Sequence, residues 1–179
     1  MDKFSYAIGL GIGQNLLSMG ARNIEVNDFA QAIKDVLEGN QTAISHTEAR
    51  EIVNKYFTEL EAKINAENIE KGKAFLEENK KNPNIVTLPS GLQYRIIKNG
   101  TGKRPDDGSQ VTVTYEGRFI DGKVFDSTDK GNGGKPVTLG MGSVVRGWNE
   151  ALKLMAEGSE WEIYLPYELG YGEEGSDGV

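Results

Sequence analysis

No cysteine occurs in this chain, and His46 is its single histidine. Disulfides, thiolate nucleophiles and thiolate metal sites are thereby excluded, and a histidine-based site lacks the second imidazole it would normally use. Cysteine-free chains suit reducing and oxidising spaces alike, so this absence does not set the compartment. Positive charge is also short: 27 acidic residues face 20 basic ones, for a net charge of -7. Binding a polyphosphate takes a basic stripe with interleaved aromatics, and none is present, so nucleic acid is not an expected partner. Long apolar runs are missing as well. No stretch approaches the roughly 18 residues that a membrane span requires. The partly apolar run from Tyr6 to Met19 follows Lys3, but Gln14 and Asn15 interrupt it and no clear small-x-small cleavage site follows. That pattern argues against a signal peptide.

What is present divides into two halves. The 179 residues have room for one medium domain, or for a small one with an appendage, and 37% hydrophobic residues is low for a uniformly compact globule. Part of the chain is therefore expected to be exposed helix. Ile8, Ile12, Leu16 and Met19 recur at helical spacing. Gly9 and Gly13 lie one turn apart beside that face, and each weakens an isolated helix by about 1 kcal/mol relative to alanine, which suggests that another backbone approaches there. A second helix carries Phe29, Ile33, Val36 and Leu37, with Asn27 as the expected N-cap and Gly39 at the left-handed position that ends it. A third begins at Ser45 with a Ser-x-x-Glu capping box to Glu48, and the first proline is Pro83.

That third helix is densely apolar from Ala49 to Ile64. From Glu67 to Lys81 it thins to Ile69, Phe75 and Leu76 among charges, which reads as a solvated stalk. Taken from Ser45 to Lys81 it would span roughly 55 Å at 1.5 Å per residue. A broad apolar face over three helices, one of them projecting, predicts a homodimer; a self-contained bundle is the alternative.

After Pro83 the period changes from helical to alternating. The expected division is a helical dimerisation segment at 1–64, the rest of the linker helix at 65–84, and a sheet domain at 85–179. Val111 to Ile120 reads as one long strand, Asp121 and Gly122 supply the positive φ angles of a tight hairpin, and Val124 and Phe125 return. Pro136 to Leu139 and Glu160 to Leu165 are further strands, with a short helix from Trp148 to Met155. Gly131, Asn132, Gly133 and Gly134 read as a flexible surface loop; no βαβ unit surrounds them to make a phosphate cradle. The fold class is α+β: helices first, then a twisted antiparallel sheet packed on one short helix.

Four segments of the second half belong together: VTYEG at 113–117, VFDS at 124–127, VVRGW at 144–148 and YELGYG at 167–172. They resemble the FK506-binding-protein (FKBP) type of peptidyl-prolyl cis-trans isomerase. EKGKAFLEENKK at 70–81 followed by TLPSGLQYRIIKNGTG at 87–102 is similar to the junction in the bacterial Mip, FkpA and FKBP22 subgroup, where N-terminal helices form an intertwined homodimer. The resemblance implies a proline pocket walled by Tyr115, Phe125, Val144, Val145 and Tyr171, with Trp148 as its floor and Val137 alongside. Asp126 would accept hydrogen bonds at the rim, and the Tyr171 hydroxyl and Val145 N–H would address substrate carbonyls.

It further implies catalysis without metal or cofactor, proline-containing polypeptides as clients, and macrolides of the FK506 and rapamycin class as inhibitors; the compartment, bacterial periplasm or cytoplasm, stays open. The alternative within the same resemblance is a chaperone that holds clients with little turnover; a third is a dimeric tether with a degenerate isomerase domain. Val137 and Leu139 stand where many relatives carry aromatics, which implies a shallower pocket. Relatives also continue beyond the position of Val179 through an Ile-Pro-Pro segment into a final strand. The 179 residues alone are therefore expected to leave a sheet edge open and the pocket short of a wall, with isomerase activity reduced or absent.

Overall fold

The computed structural model describes residues 1–176, and the expected sheet edge at Val179 lies outside them. The chain divides into two compact units, Met1–Lys63 and Ile64–Val179.

The first unit is helical: α1 (Lys3–Ser18), α2 (Val26–Glu38) and the start of α3 (His46–Asn79). Each helix begins where a side chain satisfies a free N–H. Asp2 Oδ1 accepts from Ser5 N at 2.8 Å, and Ser45 Oγ accepts from Glu48 N at 3.1 Å. The cap of α2 is Glu25, not Asn27: Asn27 already lies inside the helix and donates its own N–H to Glu25 Oε1. Gly39 takes the left-handed conformation, φ 71°, that stops α2.

Ala21 is the buried hydrophobic residue of this unit, while Ile8, Val36, Leu37 and Ile52 are exposed. Two shallow apolar hollows result, one on α1 around Phe4, Ile8 and Ile12, the other on α2 around Phe29, Ile33 and Leu37. Among the described residues, nothing outside the backbone of α1 itself and the adjoining residues lies within 4 Å of where a Cβ on Gly9 or Gly13 would stand. The close approach suggested by these glycines is thus not made among the described residues. No helix among the described residues is long and apolar enough to cross a membrane.

The second unit is an antiparallel sheet system. β1 (Val86–Thr87), β2 (Gln93–Lys98) and β7 (Glu160–Tyr164) form one sheet in the order β1-β2-β7. β3 (Gln110–Val113) pairs with β6 (Val137–Gly140), and β4 (Glu116–Arg118) pairs with β5 (Val124–Ser127). The long strand expected from Val111 to Ile120 is therefore two strands with a break at Thr114 and Tyr115. The break arises because Tyr115 bonds elsewhere: its carbonyl accepts from Thr128 N at 3.0 Å.

Of the two hairpin residues only Gly122 has positive φ, 86°. Gly122 N donates to Phe119 O and Phe119 N to Lys123 O, giving a longer loop than a two-residue turn. The expected flexible glycine loop is instead a capped helical turn, α4 (Thr128–Asn132). Ser127 Oγ accepts from Lys130 N, and Gly133 closes the turn at φ 58°. β1 was not legible as a strand because two residues carry no period.

The core sits where α5 (Arg146–Leu154) covers the β2–β7 sheet: Leu92, Ala151 and Leu169 are buried, with Leu88, Tyr94, Ile163 and Leu165 against them. Fully burying a leucine such as Leu92 contributes about 1.5–3 kcal/mol. The charged stretch after Glu67 is less of a free stalk than its composition indicates. Phe75 meets the ring of Tyr164 at 5.9 Å, and Gln93 Nε2 donates to Leu76 O at 2.8 Å. One side of the helix end is thereby packed on the sheet.

Candidate active site

Tyr115 is the centre of the aromatic constellation. It lies at the break between β3 and β4, and Thr128, 5% exposed, fastens it there. Tyr115 N donates to Thr128 Oγ1 at 3.3 Å and Thr128 N donates to Tyr115 O at 3.0 Å. The side chain then reaches in two directions. Its ring stands edge-on to Trp148, with centroids 5.1 Å apart and planes at 86°, the arrangement that the opposed quadrupoles favour. Its hydroxyl donates to Asp126 Oδ2 at 2.5 Å.

That hydrogen bond sets the protonation of Tyr115. It exists only while the phenol keeps its proton, and burial and the negative charge of Asp126 act in the same sense. Together they push Tyr115 up from 10.0 to about 12.

β5 presents Phe125 and Asp126 side by side through a bulge. Gly117 pairs with Asp126, but Arg118 pairs with Val124, so Phe125 is the extra residue. A bulge re-aims side chains that would otherwise point to opposite faces. The Phe125 ring lies over Gly117, where a Cβ would come within 2.6 Å of Cζ, and it packs on Phe119 with centroids 5.0 Å apart.

Val144 and Val145 lead into α5, where a helix N-terminus and Trp148 come from one short segment. Trp148 N and Asn149 N both donate to Val145 O, and Asn149 Nδ2 donates to Val144 O at 3.2 Å. Gly147 is buried because Leu165 Cδ2 would stand 2.4 Å from its Cβ. Among the described residues the Val145 N–H has no hydrogen-bond acceptor, which leaves it available to a carbonyl. Val137 is half-buried opposite Val113 on β3. Tyr171 follows the 3-10 turn Tyr167–Leu169 and is 48% exposed.

Of the eight residues expected in the site, Tyr115 touches both Asp126 and Trp148 directly. Phe125 joins through its neighbour Asp126; its own ring partner is Phe119. Gly117, Phe119, Thr128, Gly147 and Asn149 position this set and were not singled out from the sequence. For Gly117 a signal existed, since glycine inside a strand marks a close approach. Thr128 gave none, because its partner Tyr115 is thirteen residues away.

The arrangement offers apolar rings, one carboxylate already engaged and one free N–H, a set suited to binding and desolvating an amide and lacking a nucleophile. Residues 1–96 match the model of the domain amino terminal to FKBP-type peptidyl-prolyl isomerase, and residues 101–179 match the FKBP-type peptidyl-prolyl cis-trans isomerase model.

The outer membrane protein MIP of Legionella longbeachae is 44% identical over 178 residues, covering 96% of this chain and 75% of that protein. The FKBP-type 22 kDa peptidyl-prolyl cis-trans isomerase of Escherichia coli is 39% identical over 176 residues, covering 96% and 84%. The crystal structure of FkpA from Escherichia coli aligns with a TM-score of 0.77 at 27% identity, over 99% of this chain and 88% of that one. The domain pair and the relatives agree: this chain belongs to the FKBP-type peptidyl-prolyl cis-trans isomerase family.

Proposed function

We propose that the protein accelerates cis-trans exchange of Xaa-Pro bonds in folding polypeptides, with Tyr115, Phe125, Asp126, Val137, Val144, Val145, Trp148 and Tyr171 as the prolyl pocket. The observation that carries this is the edge-on packing of Tyr115 on Trp148 while the Tyr115 hydroxyl is held by Asp126. Rotation about a peptide bond faces roughly 18–20 kcal/mol because resonance makes C–N partly double, whereas the two prolyl end states differ by under about 1 kcal/mol. Only the barrier has to fall.

Water stabilises the charge-separated planar amide more than the twisted one, so an apolar ring-lined site that excludes water from the amide removes that preference. Contacts that fit the twisted bond better than the planar one add to the rate. In this reading the Val145 N–H and the Tyr171 hydroxyl hold the flanking carbonyls, and Asp126 fixes the Tyr115 ring. A gain of about a million-fold would need about 8 kcal/mol from these effects together. FK506- and rapamycin-class macrolides would occupy the same pocket. The test is exchange of a short Xaa-Pro peptide with the whole chain; a rate equal to the uncatalysed one rejects the enzyme.

A second reading concerns the helical unit. The exposed apolar faces of α1 and α2, and the open backbone at Gly9 and Gly13, support a homodimer in which a second copy covers them. In sedimentation the whole chain should run as a dimer and Ile8→Glu as a monomer, with peptide turnover unchanged; a monomeric wild type rejects the dimer. A chaperone holding clients on apolar surface outside the pocket would keep suppressing aggregation when Trp148 is replaced, whereas one that uses the pocket would not. A bacterial cell, and within it the periplasm or the cytoplasm, is part of the same proposal; the relatives named above are bacterial, and the Legionella one is called an outer membrane protein.

A further inference from the structure

The N–H of Val145 belongs to the same peptide unit as the carbonyl of Val144, and one side chain holds that carbonyl. Asn149 Nδ2 donates to Val144 O at 3.2 Å from a half-buried position on α5. A carbonyl only accepts, so it is the amide nitrogen of Asn149 that faces it. The backbone of the same residue holds the next unit: Asn149 N donates to Val145 O at 3.2 Å, beside Trp148 N at 3.0 Å. Both peptide units that flank Val145 are thereby tied to Asn149.

Among the described residues no other hydrogen bond orients the Val144–Val145 unit. Val145 is the N-cap of α5 and supplies no side-chain acceptor, and the N–H groups of Val145, Arg146 and Gly147 have none among the described residues. Asparagine is also a poor choice inside a helix, because its amide competes for backbone bonds. Here that competition puts a donor on Val144 O. A planar trans unit points its C=O and its N–H in opposite directions. The bond on Val144 O therefore fixes the direction of the Val145 N–H, and it polarises the unit so that this N–H becomes a stronger donor.

We infer that Asn149 is a positioning residue for the pocket: by holding Val144 O it aims the Val145 N–H at a carbonyl of the bound peptide. This rests on the reading of the Val145 N–H as a holder of that carbonyl. Losing the Asn149 bond weakens the hold on the peptide and leaves in place the rings of Tyr115 and Trp148.

The experiment uses the whole chain with Asn149→Leu and, separately, Asn149→Asp. Both keep the branched skeleton of asparagine, and neither side chain can donate to Val144 O. Leucine adds no charge, whereas aspartate puts a negative charge near the first turn of α5, where the helix dipole favours it. The urea midpoint of Asn149→Asp should therefore stay close to that of wild type. On an Xaa-Pro peptide, KM should rise about three-fold in both variants with kcat within about two-fold, the signature of lost binding that ground and transition states share. In the free protein the Val145 amide proton should move upfield in Asn149→Leu, while the amides of the β3–β6 ladder stay in place.

An unchanged KM in either variant overturns the inference, as does an unmoved Val145 resonance in Asn149→Leu. A fall in kcat and urea midpoint together, with KM unchanged, would assign Asn149 to stability alone. If Asn149→Leu does not fold, KM of Asn149→Asp at a retained midpoint decides. Adding the peptide to wild type should itself move the Val145 resonance. Should turnover proceed without that movement, the reading of Val145 as a carbonyl holder fails, and the resonance of the free variant still decides whether Asn149 orients the unit.

Discussion

The ring of Phe125 lies directly over the backbone of Gly117, so that a Cβ at this glycine would stand 2.6 Å from Cζ and 2.9 Å from Cε2. No substituent fits there unless the ring moves. Gly117→Ala should therefore cost about 1–3 kcal/mol, the range for overpacking a close contact, read as a lower urea midpoint. Adding Phe125→Leu should restore most of the stability and none of the lost turnover. If the alanine variant is as stable as wild type, the ring is not held over the glycine.

Tyr115 and Asp126 should behave as one unit. Tyr115→Phe removes the donor, and Asp126→Asn keeps an acceptor while removing the charge. Each is expected to lower kcat/KM by about ten-fold, toward the weaker end of charged hydrogen bonds because Asp126 is exposed. The double variant should lose little more than either single one. Strictly additive losses in the cycle would show that the two side chains act separately.

The same pair sets a pH dependence. Tyr115 is raised from 10.0 to about 12, so between these values the folded state keeps a proton that the unfolded state has lost. The hydrogen bond's contribution is intact below pH 10 and disappears as pH rises through about 12. Stability should fall across that interval and the slope should shrink in Tyr115→Phe. A smaller slope should persist, since burial also raises Tyr164 and Tyr167. Unfolding midpoints against pH check this, and a wild-type curve flat from pH 10 to 12 contradicts it.

Thr128→Val preserves shape but leaves Tyr115 N without its hydroxyl acceptor. The expected cost is about 1–3 kcal/mol, that of an unsatisfied buried group, with a rise in KM as Tyr115 shifts. Thermal unfolding and peptide kinetics on the same preparation test both halves. An unchanged KM would mean that the Thr128 N to Tyr115 O bond suffices.

Legibility followed sequence distance. Gly39 as the end of α2 and Ser45 as the start of α3 could be read from neighbours within one turn, and both stand. Asn27 was misplaced as a cap because Glu25, two residues earlier, is an unusual capping residue, and here it accepts the N–H of Asn27 itself. The break at Tyr115 was invisible: valine, threonine and tyrosine all favour strand, and only the distant Thr128 diverts the backbone. The helical turn after Ser127 looked like loop because its glycines are poor helix formers, yet they supply the left-handed close at Gly133. Phe75 read as one apolar residue in a charged stalk until its partner Tyr164 was known.

The order of residues along the chain was enough for the helical first half, the alternating second half and the family, because periodicity, caps and spaced motifs are local properties that need no partner. Which atoms meet was decided by tertiary packing alone. Tyr115 against Trp148, Phe125 over Gly117 and Gln93 on Leu76 join residues between eight and 33 positions apart, and no local preference of any of them specifies the other. Such contacts form only when burial of the shared core at Leu92, Ala151 and Leu169 brings the segments into register.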